Sequence, residues 1–235
     1  RTMAYILALD TSGNSCSVAL WSDTGLLIGQ EELAQRQHTK RLLPMVKELL
    51  LESDVKMPSL DAIAYGRGPG SFTGIRIAAG VAQGLAFGIG CKVLPISTLA
   101  ALALRAHTYS NMAGLSYACS LDARMGEVYW GEYMIDENDP QLAVAQIAER
   151  VCSPLQVEVM NSNYVACGSG MSVTNMPQGI ITSAQSVRSE LEPRALEMVR
   201  LAAAGFLLGH QCAPEYALPV YLRDEVTWQK LPRYQ

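Results

Sequence analysis

Short apolar blocks separated by polar turns open the chain. Residues 5–10 (YILALD), 16–21 (CSVALW) and 26–33 are apolar runs parted at 11–14 and 22–25. This pattern predicts three strands in an antiparallel meander. The period then changes. Leu42, Leu43, Val46, Leu49 and Leu50 fall at i, i+1, i+4, i+7 and i+8, which places them on one face of a helix over residues 38–52. Pro44 inside that pattern predicts a kink or an irregular first turn. Residues 60–65 read as a fourth strand leading into a glycine loop, 74–88 as a second helix and 91–96 as a fifth strand. Residues 98–107 read as an alanine-rich helix with Ser97 at its N-cap. Further on, 115–121 and 127–135 are strands around a turn at 122–126. Residues 136–163 are more polar and carry little signal. Residues 164–168 and 179–182 read as short strands, and 193–208 as a helix with Pro193 in its first turn. Residues 219–235 show no period.

A meander, then helices alternating with strands, then a shorter second set, predicts a two-lobed α/β protein. The expected division is 1–97 for the first lobe and 98–192 for the second, with 193–235 packing back on the first. No short repeat or low-complexity tract interrupts it. The most apolar run, 75–94, contains Arg76, Gln83 and Lys92 and reads as a core helix followed by a strand rather than a membrane span. No secretory signal is visible, and Met3 reads as a natural start preceded by two added residues, Arg1 and Thr2. Cytoplasmic residence is therefore expected. The six cysteines form no CxxC pair and sit mostly in apolar stretches, as reduced core thiols do. With 18 Lys and Arg against 22 Asp and Glu, the formal net charge is −4 and the basic residues are scattered. A chain that holds nucleic acid alone shows a basic patch, so RNA contact is expected mainly through a complex.

The residues permit little chemistry. His38, His107 and His210 are far apart, and "HTKRL" places Leu42, not a second histidine, four residues after His38. A helical metal pair needs ligands at i and i+4, so no metal site is expected. Ser71 in "PGSFT" and Ser169 in "GSGMS" do not form a G-x-S-x-G elbow, and no histidine stands near either in sequence. Phosphate binding has more to support it, because a strand, a glycine loop and a helix start present backbone N–H groups to an anion. Asp10 and Thr11 after the first strand, with Gly68, Gly70, Ser71, Thr73 and Gly74, are the candidate phosphate-loop residues. The loop lacks the lysine of a Walker motif and does not have GxGxxG spacing. Asp10 and Thr11 equally suit the cap of a hairpin.

The second helix carries Gly80, Gly84 and Gly88 at intervals of four, on one face, with Arg76 continuing the line. Three interior glycines cost about 3 kcal/mol against alanine. Close packing must return that cost, against either the protein's own sheet or a partner helix.

The stretches "ILALDTSGNSCSVALW", "HTKRLLPMV", "AYGRGPGSFTGIRIAAGVAQGLAFG", "STLAALA", "DARMGEVYWGEY" and "PVYLR" resemble the bacterial TsaB (YeaZ) family. The resemblance implies an actin/sugar-kinase-like fold (ASKHA) of two lobes with mixed sheets. It also implies a non-catalytic partner of TsaD, the enzyme that forms threonylcarbamoyladenosine beside the tRNA anticodon. His38 matches the first histidine of TsaD's metal-binding H-x-x-x-H pair, and Leu42 replaces the second. The two helices would form the partner surface through His38, Leu42, Leu43, Val46, Arg76, Ala79, Gly80, Gln83, Gly84 and Phe87. The glycine loop would be an inherited shape without catalysis. TsaE and a TsaC-type synthase are implied as further partners. ATP or ADP and metal would sit on partners or at a shared interface, with no cofactor in the isolated chain, which would form a homodimer when alone. Two alternatives stand beside this reading: an active small-molecule kinase of the same fold, with Asp122 of "SLDARMGE" as its carboxylate, and a glycoprotease-like peptidase.

Overall fold

The computed structural model describes residues 3–110, 112 and 114–223. Arg1, Thr2 and most of the aperiodic tail, 224–235, lie outside the described residues. The first sheet contains β1 (Tyr5–Asp10), β2 (Ser15–Ser22), β3 (Leu27–Leu33), β4 (Ala62–Gly68) and β5 (Lys92–Ser97), in the order β3-β2-β1-β4-β5. The meander pairs are antiparallel, whereas β1–β4 and β4–β5 are parallel. Side-chain alternation along β1 sends Leu7 and Leu9 to one face and Ile6 and Ala8 to the other, and both faces are buried. Burial on both sides is why YILALD reads as a continuous apolar run.

Helices α1 (His38–Glu52) and α2 (Phe72–Ile89) cover the Leu7 and Leu9 face, with Leu42, Met45, Val46, Leu49, Ala78, Ala79, Ala82 and Ala86 in that core. Pro44 lies within α1. Helices α3 (Thr98–Ser110) and α5 (Ala195–Leu207) cover the opposite face. Between them in the chain lies the second sheet: β6 (Ser116–Arg124), β7 (Glu127–Ile135), β8 (Ala143–Ala145), β9 (Arg150–Cys152), β10 (Tyr164–Cys167) and β11 (Ser186–Arg188), with a short helix α4 (Gln178–Thr182). Its order is β11-β10-β6-β7-β8, with β9 also paired to β7. Helix α3 touches both sheets, so one core runs from Ile6 and Leu94 through Leu99 and Leu102 to Tyr117 and Val165. Two mixed sheets with helices between and outside them form the expected α/β architecture.

Some local expectations fail. Residues 179–182 were expected as a strand but lie in α4, which starts after Pro177, and β11 takes the sheet position instead. A four-residue apolar run has too little length for its period to separate the two states. Pro193 falls ahead of α5 rather than within it, because Arg194 is still extended at φ −147° and ψ 160°. The fourth strand is shifted toward the glycine loop, since Leu60 closes a short turn of 3-10 helix at Met57–Ser59.

Candidate functional site

The glycine loop leans against the β1–β2 turn, and the two backbones fill the space between them. Ser71 N–H donates to the Ser12 carbonyl at 2.8 Å, and the Thr11 hydroxyl donates to the Gly74 carbonyl at 2.6 Å. Ser71 also caps α2, its Oγ accepting from Gly74 N–H at 3.3 Å. A Cβ on Gly70 would stand 2.7 Å from the Ser12 carbonyl oxygen, and one on Gly74 would overlap the Thr11 carbonyl. These glycines therefore permit loop-on-loop packing. Thr73 is exposed beside them, and Gly68, at φ +105°, lies against the Val220 carbonyl.

Asp10 lies beneath this contact, fully buried, accepting from Ser12 N–H at 3.3 Å and from the Ser12 hydroxyl at 2.9 Å. Burial, reinforced by the Glu192 carboxylate, pushes its acid up to about 7 despite those hydrogen bonds. A Cβ on Gly66 would overlap its carboxylate oxygen, so glycine at 66 is what admits the aspartate. Asp10 reaches no solvent-facing ligand position.

Between the lobes runs a cleft of about 1550 Å³, its walls including His38, Arg36, Arg76, Arg124, Glu192 and Tyr221. Glu192 accepts from Asn14 Nδ2 at 2.8 Å and faces the β1–β2 turn. Asp122 spends its carboxylate on its own hairpin, accepting from Arg124 N–H at 2.8 Å and from the Arg124 guanidinium at 3.3 Å. His38 Nε2 lies 3.0 Å from the Gly13 carbonyl, tying the start of α1 to the same turn. Among the described residues, no three His, Cys, Asp or Glu side chains converge as metal ligands would.

Helix α2 presents a second surface. Its Ala78, Ala82 and Ala86 side rests on the sheet, so although the helix is long and apolar enough to cross a membrane, one face is committed to the core. Gly80, Gly84 and Gly88 are on the outer side, and among the described residues a Cβ at any of them would meet no atom within 4 Å. The bland alternative, that the glycines admit the protein's own sheet, is excluded by this geometry. Phe87, 59% exposed, and Leu43 of α1, 48% exposed, are further apolar groups open to solvent. Gln83 is half-buried and donates to the Pro214 carbonyl at 2.9 Å. Leu42, Val46 and Ala79, expected on the partner surface, are instead buried in the protein's own core at 0%, 1% and 2% exposure. Helical rotation turns them inward, so they support the surface from behind.

A family profile described as tRNA N6-adenosine threonylcarbamoyltransferase, TsaD, matches residues 30–224. The TsaB proteins of Escherichia coli K12 and Haemophilus influenzae, each named a tRNA threonylcarbamoyladenosine biosynthesis protein, are 40% and 41% identical to the chain. Each alignment covers 97% of this chain and 98% or 97% of the relative. The chain belongs to the TsaB family. The solved structure of YeaZ from Pseudomonas aeruginosa is 39% identical and superposes with a TM-score of 0.84, covering 93% of this chain and all of that one.

Sequence reasoning missed three groups in this TsaB-family chain. Phe72, 58% exposed, and Tyr221 stand at the first turn of α2, where Arg76 stacks on the one and hydrogen-bonds to the other, and Glu192 reaches the β1–β2 turn from the segment before α5. Tyr221 and Glu192 are distant in sequence from the elements they touch, so periodicity carries no signal for either. Phe72 could have been found as a large apolar residue in the first turn of a helix that opens on a glycine loop.

Proposed function

We propose that this TsaB-family chain serves the formation of threonylcarbamoyladenosine in tRNA as a subunit without a reaction centre of its own. It docks onto the threonylcarbamoyltransferase TsaD through the outer face of α1 and α2. The observation that carries this reading is the open stripe Gly80–Gly84–Gly88. Three interior helical glycines cost about 3 kcal/mol, and among the described residues no contact returns it. A second helix laid against the stripe can approach backbone to backbone and return it. The packing of the glycine loop onto the β1–β2 turn supports the absence of a phosphoryl-transfer role, since Ser71 N–H, a donor that a phosphate would need, bonds to Ser12.

In this reading ATP or ADP and any metal are held by partners or at the shared surface. TsaE and a TsaC-type synthase act in the same cytoplasmic system, and tRNA is engaged mainly by the complex. The same face permits a homodimer when no partner is present. The test is light scattering of the chain with and without cognate TsaD, paired with modification of unmodified tRNA by the reconstituted proteins. A stable complex and TsaB-dependent modification are expected. A mixture that never exceeds the separate masses, with modification indifferent to the chain, would overturn the proposal.

A further inference from the structure

The Arg76 guanidinium lies 3.6 Å from the centroid of the Phe72 ring and 5.4 Å from that of Tyr221, and its Nε donates to the Tyr221 hydroxyl at 2.6 Å. The two rings are themselves 5.8 Å apart. One belongs to the first turn of α2 and the other to the segment that follows α5, which is fastened beside α2 by Val220 N–H to the Arg67 carbonyl and by the Tyr65 hydroxyl to the Leu218 carbonyl. All three side chains reach solvent, and among the described residues no carboxylate pairs with Arg76. Arg76 also stands four residues before Gly80, on the line of the glycine stripe.

We propose that Arg76, stacked on Phe72 and hydrogen-bonded to Tyr221, is the charged anchor of the α2 face and takes a carboxylate of a heterologous partner subunit, carried beside the helix that packs on Gly80–Gly84–Gly88. This rests on the partner reading above and specifies its chemistry. A guanidinium stacked on one ring and hydrogen-bonded through Nε to the hydroxyl of the other is restrained before binding, and its remaining N–H groups suit a carboxylate. Arginine and aromatic side chains are also the groups that dominate binding at protein interfaces.

Charge decides the occupant. Helix α2 contains no Asp or Glu, so an α2 from a second copy brings no carboxylate to Arg76. The acidic groups of α1 have partners of their own: Glu52 accepts from Gln30 at 2.9 Å, and Glu48 lies 4.0 Å from Arg41. A second copy packed through these two helices therefore brings no unpaired acid from either helix to Arg76, and the occupant we assign is a different protein.

The experiment titrates the full chain against cognate TsaD by calorimetry at low and high salt, using the parent, Arg76→Gln, Arg76→Lys, Tyr221→Leu and Gly84→Leu. Melting of each variant alone confirms that it folds. Arg76→Gln is expected to weaken binding at least tenfold and to flatten its salt dependence. Arg76→Lys keeps the charge but not the flat fork and is expected to recover only part of the loss. Tyr221→Leu removes the hydroxyl that holds the guanidinium Nε and falls between Arg76→Gln and the parent. If Arg76→Gln binds within twofold of the parent while Gly84→Leu does not bind, the face is right and the anchor is overturned. If both bind normally, the partner reading itself fails. If Arg76→Gln abolishes self-association and leaves TsaD binding intact, the assignment to a heterologous partner is overturned.

Discussion

Replacing Gly84 with leucine separates folding from assembly. A side chain at 84 enters open space, since a Cβ there meets nothing within 4 Å, and the position is interior to the 18-residue helix α2. The folded chain therefore gains helix propensity of a little under 1 kcal/mol and loses no packing. For a protein of this size that raises Tm by about 2–4 °C. The same leucine stands where two helix backbones would meet in a complex. It forces them apart, and loss of a single close contact of about 1.4 kcal/mol weakens binding tenfold. Differential scanning calorimetry of the variant alone and titration against TsaD give the two readings. The expected pattern is an unchanged or higher Tm with at least tenfold weaker binding. A clearly lower Tm with parental affinity would refute the reasoning, because the stripe would then be packed inside the chain and idle in assembly.

The glycine loop should behave in the opposite way. Gly74→Ala drives a Cβ into the Thr11 carbonyl and is expected to cost about 3 kcal/mol, lowering Tm by roughly 6–12 °C in calorimetry. Asp10 makes stability depend on pH. Its acid stands near 7 in the folded chain against an ordinary 3.8, so the folded state holds a proton that the unfolded state has released. Stability is complete below about 3.8, falls as pH rises to about 7 and is flat above that, a total of roughly 4 kcal/mol. Asp10→Asn keeps the bonds to Ser12 without the charge. In urea titrations it should therefore be the more stable protein at pH 8 and lose that advantage near pH 4. A parent whose stability rises between pH 4 and 7 relative to Asp10→Asn would contradict the assignment. The isolated chain, with Ser71 N–H already bonded and no lysine in the loop, should bind ATP no more tightly than about 1 mM, and micromolar binding in calorimetry would revive the kinase reading.

Much of the first lobe was legible along the chain. Strand β1 and helix α1 follow from local pattern alone: a continuous apolar run marks a strand buried on both faces, and apolar spacing of three and four marks a helix with one buried face. The second lobe was less legible. Strands β8, β9 and β11 are three residues each, held by register to β7 and β10 rather than by their own composition. The candidate surface divided in the same way. Gly80, Gly84 and Phe87 are exposed, whereas Leu42, Val46 and Ala79 share those helices but turn into the core. The Arg76 cluster depends on Tyr221, which is 145 residues away in the chain.

Helix α2 shows most plainly what each level decided. The sequence alone determined that it carries two stripes of small residues, Ala78–Ala82–Ala86 and Gly80–Gly84–Gly88, each with a spacing of four. They are offset by two residues, about 200° around the helix, so they point to opposite sides. Neither stripe is polar, and neither has the bulk that would mark it as core, so periodicity could not tell which one rests on the sheet. The tertiary structure decided it. The β4–α2–β5 crossover lays the helix on the sheet, and the close approach of Gly74 to the Thr11 backbone, with the Thr11 hydroxyl donating to the Gly74 carbonyl at 2.6 Å, fastens its first turn. So seated, the helix places the alanine methyl groups against Leu7, Leu9 and Ile63 and leaves the glycines facing outward.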